Sequence, residues 1–371
     1  MRLWRIGARS ALAVSLAFGG IGAVSVAGQA EPQTPGQVLQ AGVRKMQTGH
    51  KLPGVIGMVR NGDAAAYAHA GESDMFAHVP ADPRAPFRIG SNTKQFTSTV
   101  LLQLEAEGKL SLDETVDKWL PGVVNKNGND GKNITIRALL NHSSRIPDFI
   151  NAATKYAYMA DVNPDQPHDP RQLVDQALEQ KPLSEPGYSN TNYVLAGLII
   201  KAVTGNDAAT EVRDRIIDRL GLTHTTFPTD DSKLPAGFLH GYEWIRDISF
   251  SNTPQLFGPA GAMVSTLDDL AEFDRALFSG RLLPPAQLRE LETVGDLPTY
   301  ALGVGRVDTP DCGTVYTFTG EVLGYSNTWI TSPDGQRQAV VARNEYHVDP
   351  NDPAGTTEYN TALAAYCATG Q

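Results

Sequence analysis

Strand-length apolar runs stand at both ends of this chain, and helical patterns occupy the stretch between them. Gly54 to Arg60 and Ala64 to His69 flank Asn61-Gly62, a dipeptide whose backbone freedom suits a tight hairpin. A second set follows far downstream: Tyr300 to Val307, Gly313 to Phe318, Tyr325 to Thr331 and Gln338 to Asn344, with Pro333-Asp334-Gly335 turning the last two. Neither set is comfortable alone, because a lone hairpin is marginal in water and open edges need partners. The two sets therefore predict one antiparallel sheet assembled from both chain ends.

Helices are expected elsewhere. Ser91 to Glu107 contains no Gly or Pro and places Phe96, Val100, Leu101 and Leu104 on one face, with Gly108 as a left-handed stop. Tyr193 to Val203 and Leu267 to Leu277 repeat the amphipathic spacing, and Thr357 to Ala368 reads as a closing helix. Residues 121–135 and 159–170 are rich in Pro, Gly, Asn and Asp and read as loops. The expected fold class is α/β. Residues 31–90 and 298–371 form the sheet region with flanking helices, and 91–297 form a mainly helical insert with the site between them.

The chain has 371 residues, 41% of them hydrophobic and 19% charged, which excludes a mainly disordered or collagen-like polymer. Its 31 Lys+Arg face 41 Asp+Glu, a formal net charge of −10, and no basic cluster is present. Nucleic-acid binding rests on such clusters releasing counterions, so no nucleic-acid partner is expected. Residues 1–30 read as a signal peptide: Arg2, Arg5 and Arg9 precede a stretch of mostly Ala, Val, Leu and Gly, and Gly28 and Ala30 offer a cleavage site before Glu31. The alternative is an N-terminal membrane anchor, for which this glycine-broken run is short. The expectation is a secreted protein of bacterial type, without a membrane anchor after cleavage.

Cys312 and Cys367 are the two cysteines, and an even pair in an exported chain reads as a disulfide. Closing a loop of that length contributes about 4 kcal/mol in the chain-entropy model. Two unrelated buried thiols are the other reading. The eight His are scattered without metal-site spacing, so neither metal nor cofactor is expected.

Three short pieces carry chemistry. Phe87-Arg88-Ile89-Gly90-Ser91-Asn92-Thr93-Lys94 sets a serine at a helix start with a lysine three residues on, within reach along one helix face. The helix N-terminus favours a developing alkoxide, and a lysine serves as base when burial lowers its pKa. Alone, the motif more readily describes an N-capping serine beside a solvated lysine. Pro186-Gly187-Tyr188-Ser189-Asn190 leads into the next helix. A tyrosine near lysines gives up its proton more easily, and Asn190 offers both a donor and an acceptor. Thr319-Gly320-Glu321 ends a strand, where a glycine lets another chain lie close and backbone N–H groups can hold an oxyanion.

In this order the pieces resemble the penicillin-recognising serine hydrolases, with their Ser-x-x-Lys, Tyr-x-Asn and Lys/His-x-Gly motifs. The likeness runs over roughly residues 35–367 and takes in Ile134 to Ser144, Gly221-Leu222-Thr223 and Ala260 to Leu277. It is nearest to the secreted D-alanyl-D-alanine carboxypeptidase branch, which includes class C β-lactamases, D-aminopeptidases and esterases. The resemblance implies a β-lactamase/transpeptidase-like fold and an acyl-enzyme at Ser91, with Lys94 as its partner and Tyr188 as proton shuttle. Asn190, Thr319 and Gly320 would hold the substrate, the N–H groups of Ser91 and Glu321 would form the oxyanion hole, and Arg306 is a candidate carboxylate clamp. The default expectation is a D-Ala-D-Ala carboxypeptidase-like enzyme acting on a small peptide, ester or β-lactam. An esterase, a D-amino-acid amidase or a catalytically weakened relative is the alternative.

The sequence departs from that pattern at three places. Phe318 stands where the family has Lys or His, removing a cation that would tune Tyr188 and attract a carboxylate. Glu321 would repel a substrate carboxylate or pair with a substrate amine. Arg145 replaces the glycine of the family's His-Thr-Ser-Gly loop.

Overall fold

A computed structural model describes residues 33–150, 168–251, 253–346 and 352–370. The residues from Gln33 onward form one compact unit. The predicted signal peptide and most of the 159–170 loop lie outside the described residues.

Strands β1 (Gly54–Asn61), β2 (Ala64–Asp74) and β3 (Val79–Pro80) come from the start of the chain. The short strands β4 (Phe87–Arg88) and β5 (Val264–Ser265) pair with each other beside the main sheet. Strands β6 (Gly305–Thr309), β7 (Gly313–Val322), β8 (Tyr325–Thr331) and β9 (Arg337–Arg343) come from the end. The seven-stranded sheet has the order β3-β2-β1-β9-β8-β7-β6. The antiparallel register Val55↔Arg343 through Asn61↔Arg337 joins the two chain ends at its centre, as their lack of other partners requires.

Both faces of that centre are covered, which is why β1 and the Ala339–Ala342 stretch of β9 read as apolar runs rather than alternating ones. Ile56, Met58 and Trp329 join the larger core, whereas Val55, Val59 and Ile330 join a second core on the other face. The second core is closed by α1 (Pro35–His50) and by a terminal helix running Pro353–Ala368. A Thr34–Gln37 capping box starts α1, whose Leu39, Val43 and Met46 form its buried stripe.

The larger core is built around α2 (Thr93–Ala106), in which every residue from Thr93 to Leu104 is buried. A helix enclosed on all sides carries its polar groups inside, and one of them, Lys94, serves the site described below. The spacing places the helix correctly, but Gly90–Asn92 forms a separate 3₁₀ turn before it, and Gly108 takes φ +68° just beyond its end. Helices α3 (Asn190–Thr204) and α4 (Leu267–Phe278) pack into the same core, so α5 denotes the terminal helix Pro353–Ala368.

One strand prediction is corrected. Tyr300 to Val307 reads as a single run, yet the strand begins at Gly305. Gly303 adopts φ +85°, and the N–H of Ala301 bonds the carbonyl of Val304, so the chain turns there instead of pairing. Cys312 and Cys367 are joined, with Cα atoms 5.3 Å apart, tying the β6–β7 turn to α5.

Candidate active site

Ser91 owes its position to two glycines. Gly90 takes φ +53°, turning the chain from β4 into the 3₁₀ turn that carries Ser91. A Cβ on Gly90 would lie 2.8 Å from the backbone nitrogen of Glu321, and one on Gly320 would lie 2.0 Å from the carbonyl oxygen of Ile89. The end of β7 thus rests directly on the backbone around Ser91, an approach open only to glycine. The neighbouring Asn92 accepts a hydrogen bond from the Trp329 indole at 3.0 Å, fastening the turn to β8.

Lys94 Nζ lies 3.0 Å from Ser91 Oγ, 2.8 Å from Asn190 Oδ1 and 2.6 Å from the carbonyl oxygen of Ala260. Its side chain is fully buried, and burial pulls its pKa down to about 7, with Asp148 acting the other way. A neutral amine has two hydrogens and one lone pair. Asn190 Oδ1 and the Ala260 carbonyl can only accept, so they take both hydrogens and the lone pair faces the Ser91 hydroxyl. The Asn190 amide is held in this orientation because its Nδ2 donates to Asp148 Oδ2 at 2.9 Å. Such an arrangement can serve as an oriented general base beside a nucleophile.

Tyr188 Oη donates to Ser91 Oγ at 2.8 Å. The residue is 40% exposed and lines the cleft. The sequence predicts a tyrosine that ionises easily. Instead, desolvation pushes the phenol well above its usual range, against the Ser91 bond, and Asp148, Tyr193 and Glu321 add to the rise. A neutral Lys94 offers no compensating charge. Tyr188 is therefore a proton donor in the resting site.

Beneath Tyr188 lies an aromatic wall that the motifs do not announce. His142 lies tilted 4.3 Å from the Tyr188 ring and edge-on 4.7 Å from Tyr300, whose ring meets Phe318 at 5.7 Å. His142 Nδ1 accepts from the Ser189 N–H at 3.2 Å and faces Asn192 Nδ2 at 3.1 Å, which leaves Nε2–H to donate to Tyr300 Oη at 3.1 Å. Burial holds the imidazole well below its ordinary pKa and hence neutral, and Lys94 lowers it further whenever it is charged. Phe318 completes this wall at the position where the family pattern has Lys or His.

A cavity of about 340 Å³ opens over Ser91. Tyr188, Asn190, Thr319 and Glu321 supply its polar side, and Phe257, Val322 and Leu323 its apolar side. Glu321 accepts from Tyr346 Oη at 2.9 Å. Its carboxyl is raised by desolvation, with Tyr346 and Arg343 opposing. Arg306 is not among the lining residues. It stands exposed on the edge strand β6, near Glu292 and Tyr316. Asp148 and His142 were missed as positioning residues because only the fold brings them to the motifs. Among the described residues, no cluster of His, Cys, Asp and Glu could hold a metal ion, and no helix is long and apolar enough to cross a membrane.

The sheet, the buried helix and the Ser–Lys–Tyr centre define a serine hydrolase of the β-lactamase/transpeptidase-like fold. The Beta-lactamase family model matches residues 39–364, and the chain belongs to that family. Protein flp of Staphylococcus aureus (strain MRSA252) is 29% identical over 317 residues, covering 81% of this chain and 60% of the relative. The chain thus spans less than two thirds of that relative's length. A D-stereospecific amidohydrolase from Streptomyces sp. is 34% identical with a TM-score of 0.76, covering 88% of this chain and 97% of that one. D-amino acid amidase from Ochrobactrum anthropi SV3, solved with L-phenylalanine, shares the fold at 24% identity and TM-score 0.76, covering 91% and 97%.

Proposed function

We propose that the chain is a serine amidohydrolase that cleaves amides of amine-bearing, D-configured amino acids through an acyl-enzyme at Ser91. One observation carries this reading: Glu321 is the only charged side chain among the described residues lining the cleft. A carboxylate there attracts a substrate ammonium group and repels a substrate carboxylate. The small cavity volume suits a single amino acid, and the Streptomyces relative, similar over nearly its whole length, supports the D configuration.

In the proposed reaction Ser91 Oγ bonds to the amide carbon as Lys94 Nζ takes its proton. The oxyanion rests against the backbone N–H groups of Ser91 and Glu321. Tyr188 passes a proton to the leaving nitrogen, the carbon–nitrogen bond breaks, and water then releases the acid by the reverse relay. A D-Ala-D-Ala carboxypeptidase would use the same three residues, but its substrate carboxylate would meet Glu321, and Arg306 does not line the cleft. Action outside the cytoplasm is proposed from the basic-then-apolar pattern of residues 1–30.

The test compares D-phenylalaninamide, its N-acetyl derivative and a peptide ending in D-Ala-D-Ala, with Ser91→Ala as control. The free amine should be preferred by about tenfold or more, the worth of one charge-assisted hydrogen bond. Equal turnover of the acetylated compound, or a preference for the peptide, overturns the amine reading.

A further inference from the structure

Below Thr319 a line of buried side chains crosses from the cleft to α5. Thr319 Oγ1 lies 3.0 Å from Thr328 Oγ1, and Thr328 Oγ1 lies 2.8 Å from Glu358 Oε1. Glu358 Oε1 also accepts from Ser326 Oγ at 3.3 Å, while Glu358 Oε2 accepts from Arg343 Nε at 3.0 Å. Glu358, Arg343 and Ser326 are fully buried and Thr328 is 1% exposed, so water does not reach between them. Arg343 is always charged, and Glu358 is its buried counter-ion together with Asp352, with Glu345 beside them.

Counting protons sets the direction of the line. A carboxylate only accepts, so the single hydroxyl proton of Thr328 is committed to Glu358. Thr328 can then only accept from Thr319. Thr319 must turn its own proton away from the cleft, and what it presents to substrate is lone pairs alone. Thr319 lines the cleft beside Glu321, so the two neighbours form one acceptor surface.

We propose that Glu358 is a positioning residue which, through Thr328, makes Thr319 an obligate hydrogen-bond acceptor and so selects substrates presenting N–H groups over those presenting a carboxylate. The inference rests on the amine-binding reading of this cleft and deepens it, because a hydroxyl is in general free to donate to a carboxylate and this one is not. Nothing in the motif predicts the polarity, since Glu358 lies on a different element and touches no substrate.

Glu358→Gln tests the relay by reversing it. Arg343 Nε requires an acceptor, so the amide oxygen faces Arg343 and the NH₂ faces Thr328. Thr328 then accepts from Gln and donates to Thr319, whose proton becomes available to the cleft. The probes are two arylboronic acids of one shape, carrying an aminomethyl group or a carboxylate, which add reversibly to Ser91 whatever the natural substrate. Burial raises the Glu358 carboxyl to about 7 despite Arg343, so inhibition is measured at a pH of about 9, with Glu358 ionised.

The ratio of the two inhibition constants should move about tenfold toward the carboxylate in Glu358→Gln, the size of one hydrogen bond gained or lost at a charged group. The shift should vanish in a Thr319→Val background. An unchanged ratio in folded Glu358→Gln, or a shift that persists without the Thr319 hydroxyl, overturns the relay. Should Glu358→Gln not fold, Thr328→Val severs the line without touching Arg343, and exposed Thr319→Val removes its last member. Each should move the ratio in the same direction, and a ratio unmoved by both overturns the relay. A wild type that binds the carboxylate probe better overturns the amine reading, while a Glu358-dependent ratio still supports the relay.

Discussion

Lys94 Nζ is shared among Ser91 Oγ, Asn190 Oδ1 and the Ala260 carbonyl, at 3.0, 2.8 and 2.6 Å. Two of these partners can only accept, so the third receives the lone pair of the neutral amine. Burial favours that neutral form, and the two acceptors aim it.

The pH dependence follows from this. Below a pKa of about 7 the amine is protonated and cannot take the Ser91 proton; above it the base is free. For an ester without ionisable groups, kcat/KM should rise through pH 7 to a plateau, because the Tyr188 phenol stays protonated beyond the ordinary tyrosine range. A profile flat between about pH 6 and 8 counts against Lys94 as base. Lys94→Arg, which cannot lose its proton, should reduce acylation about 10²–10⁴-fold.

Asp148 raises the Lys94 pKa while orienting Asn190. Asp148→Asn removes a negative charge that favours the ammonium form, so the acid limb should move to lower pH. Maximal rate should also fall, because the Asn190 amide loses its fixed orientation. Pre-steady-state acylation across pH reads both effects, and an acid limb that stays in place removes Asp148 from the electrostatics of the base.

Gly320→Ala places a Cβ 2.0 Å from the carbonyl oxygen of Ile89. Backbone must move, and the backbone in question carries Ser91. We expect a stability loss of about 1–3 kcal/mol from overpacking. Acylation should fall about 100-fold from the displaced nucleophile. Thermal melts beside burst kinetics measure the two, and an unperturbed burst would show that the approach of β7 is dispensable.

Arg145 has φ +62°, in the left-handed region where an L side chain is disfavoured. Arginine is thus held in a conformation that a glycine at this position would adopt at little cost. Arg145→Gly should stabilise the fold by about 1 kcal/mol, the order of the left-handed penalty reduced by the greater freedom of glycine when unfolded. Denaturant titration checks the sign.

Removing the Cys312–Cys367 bridge by a double change to serine should cost about 2–4 kcal/mol, since the turn and α5 would regain their freedom in the unfolded chain. A reductant should bring the wild type to the same value, and a smaller effect in both would mean that the unbridged ends remain together in the unfolded state.

Local pattern alone determined much of this protein. The hairpin at Asn61-Gly62, the buried helix after Ser91 and the strand groups at either end are legible because a helix or strand writes its period into neighbouring residues. Ser91, Lys94, Tyr188 and Asn190 are legible because a short spacing brings each to a turn or helix start. What those residues do chemically was not. The base character of Lys94 depends on acceptors from Asn190 and Ala260, the proton-holding of Tyr188 on its surroundings, and the polarity of Thr319 on Glu358. Arg306, a candidate clamp by family resemblance, pairs with Tyr316 on the edge strand β6 near Glu292 and does not line the cleft. Proton affinity and hydrogen-bond direction come from burial and from partners distant in sequence, and those are properties of the packed chain.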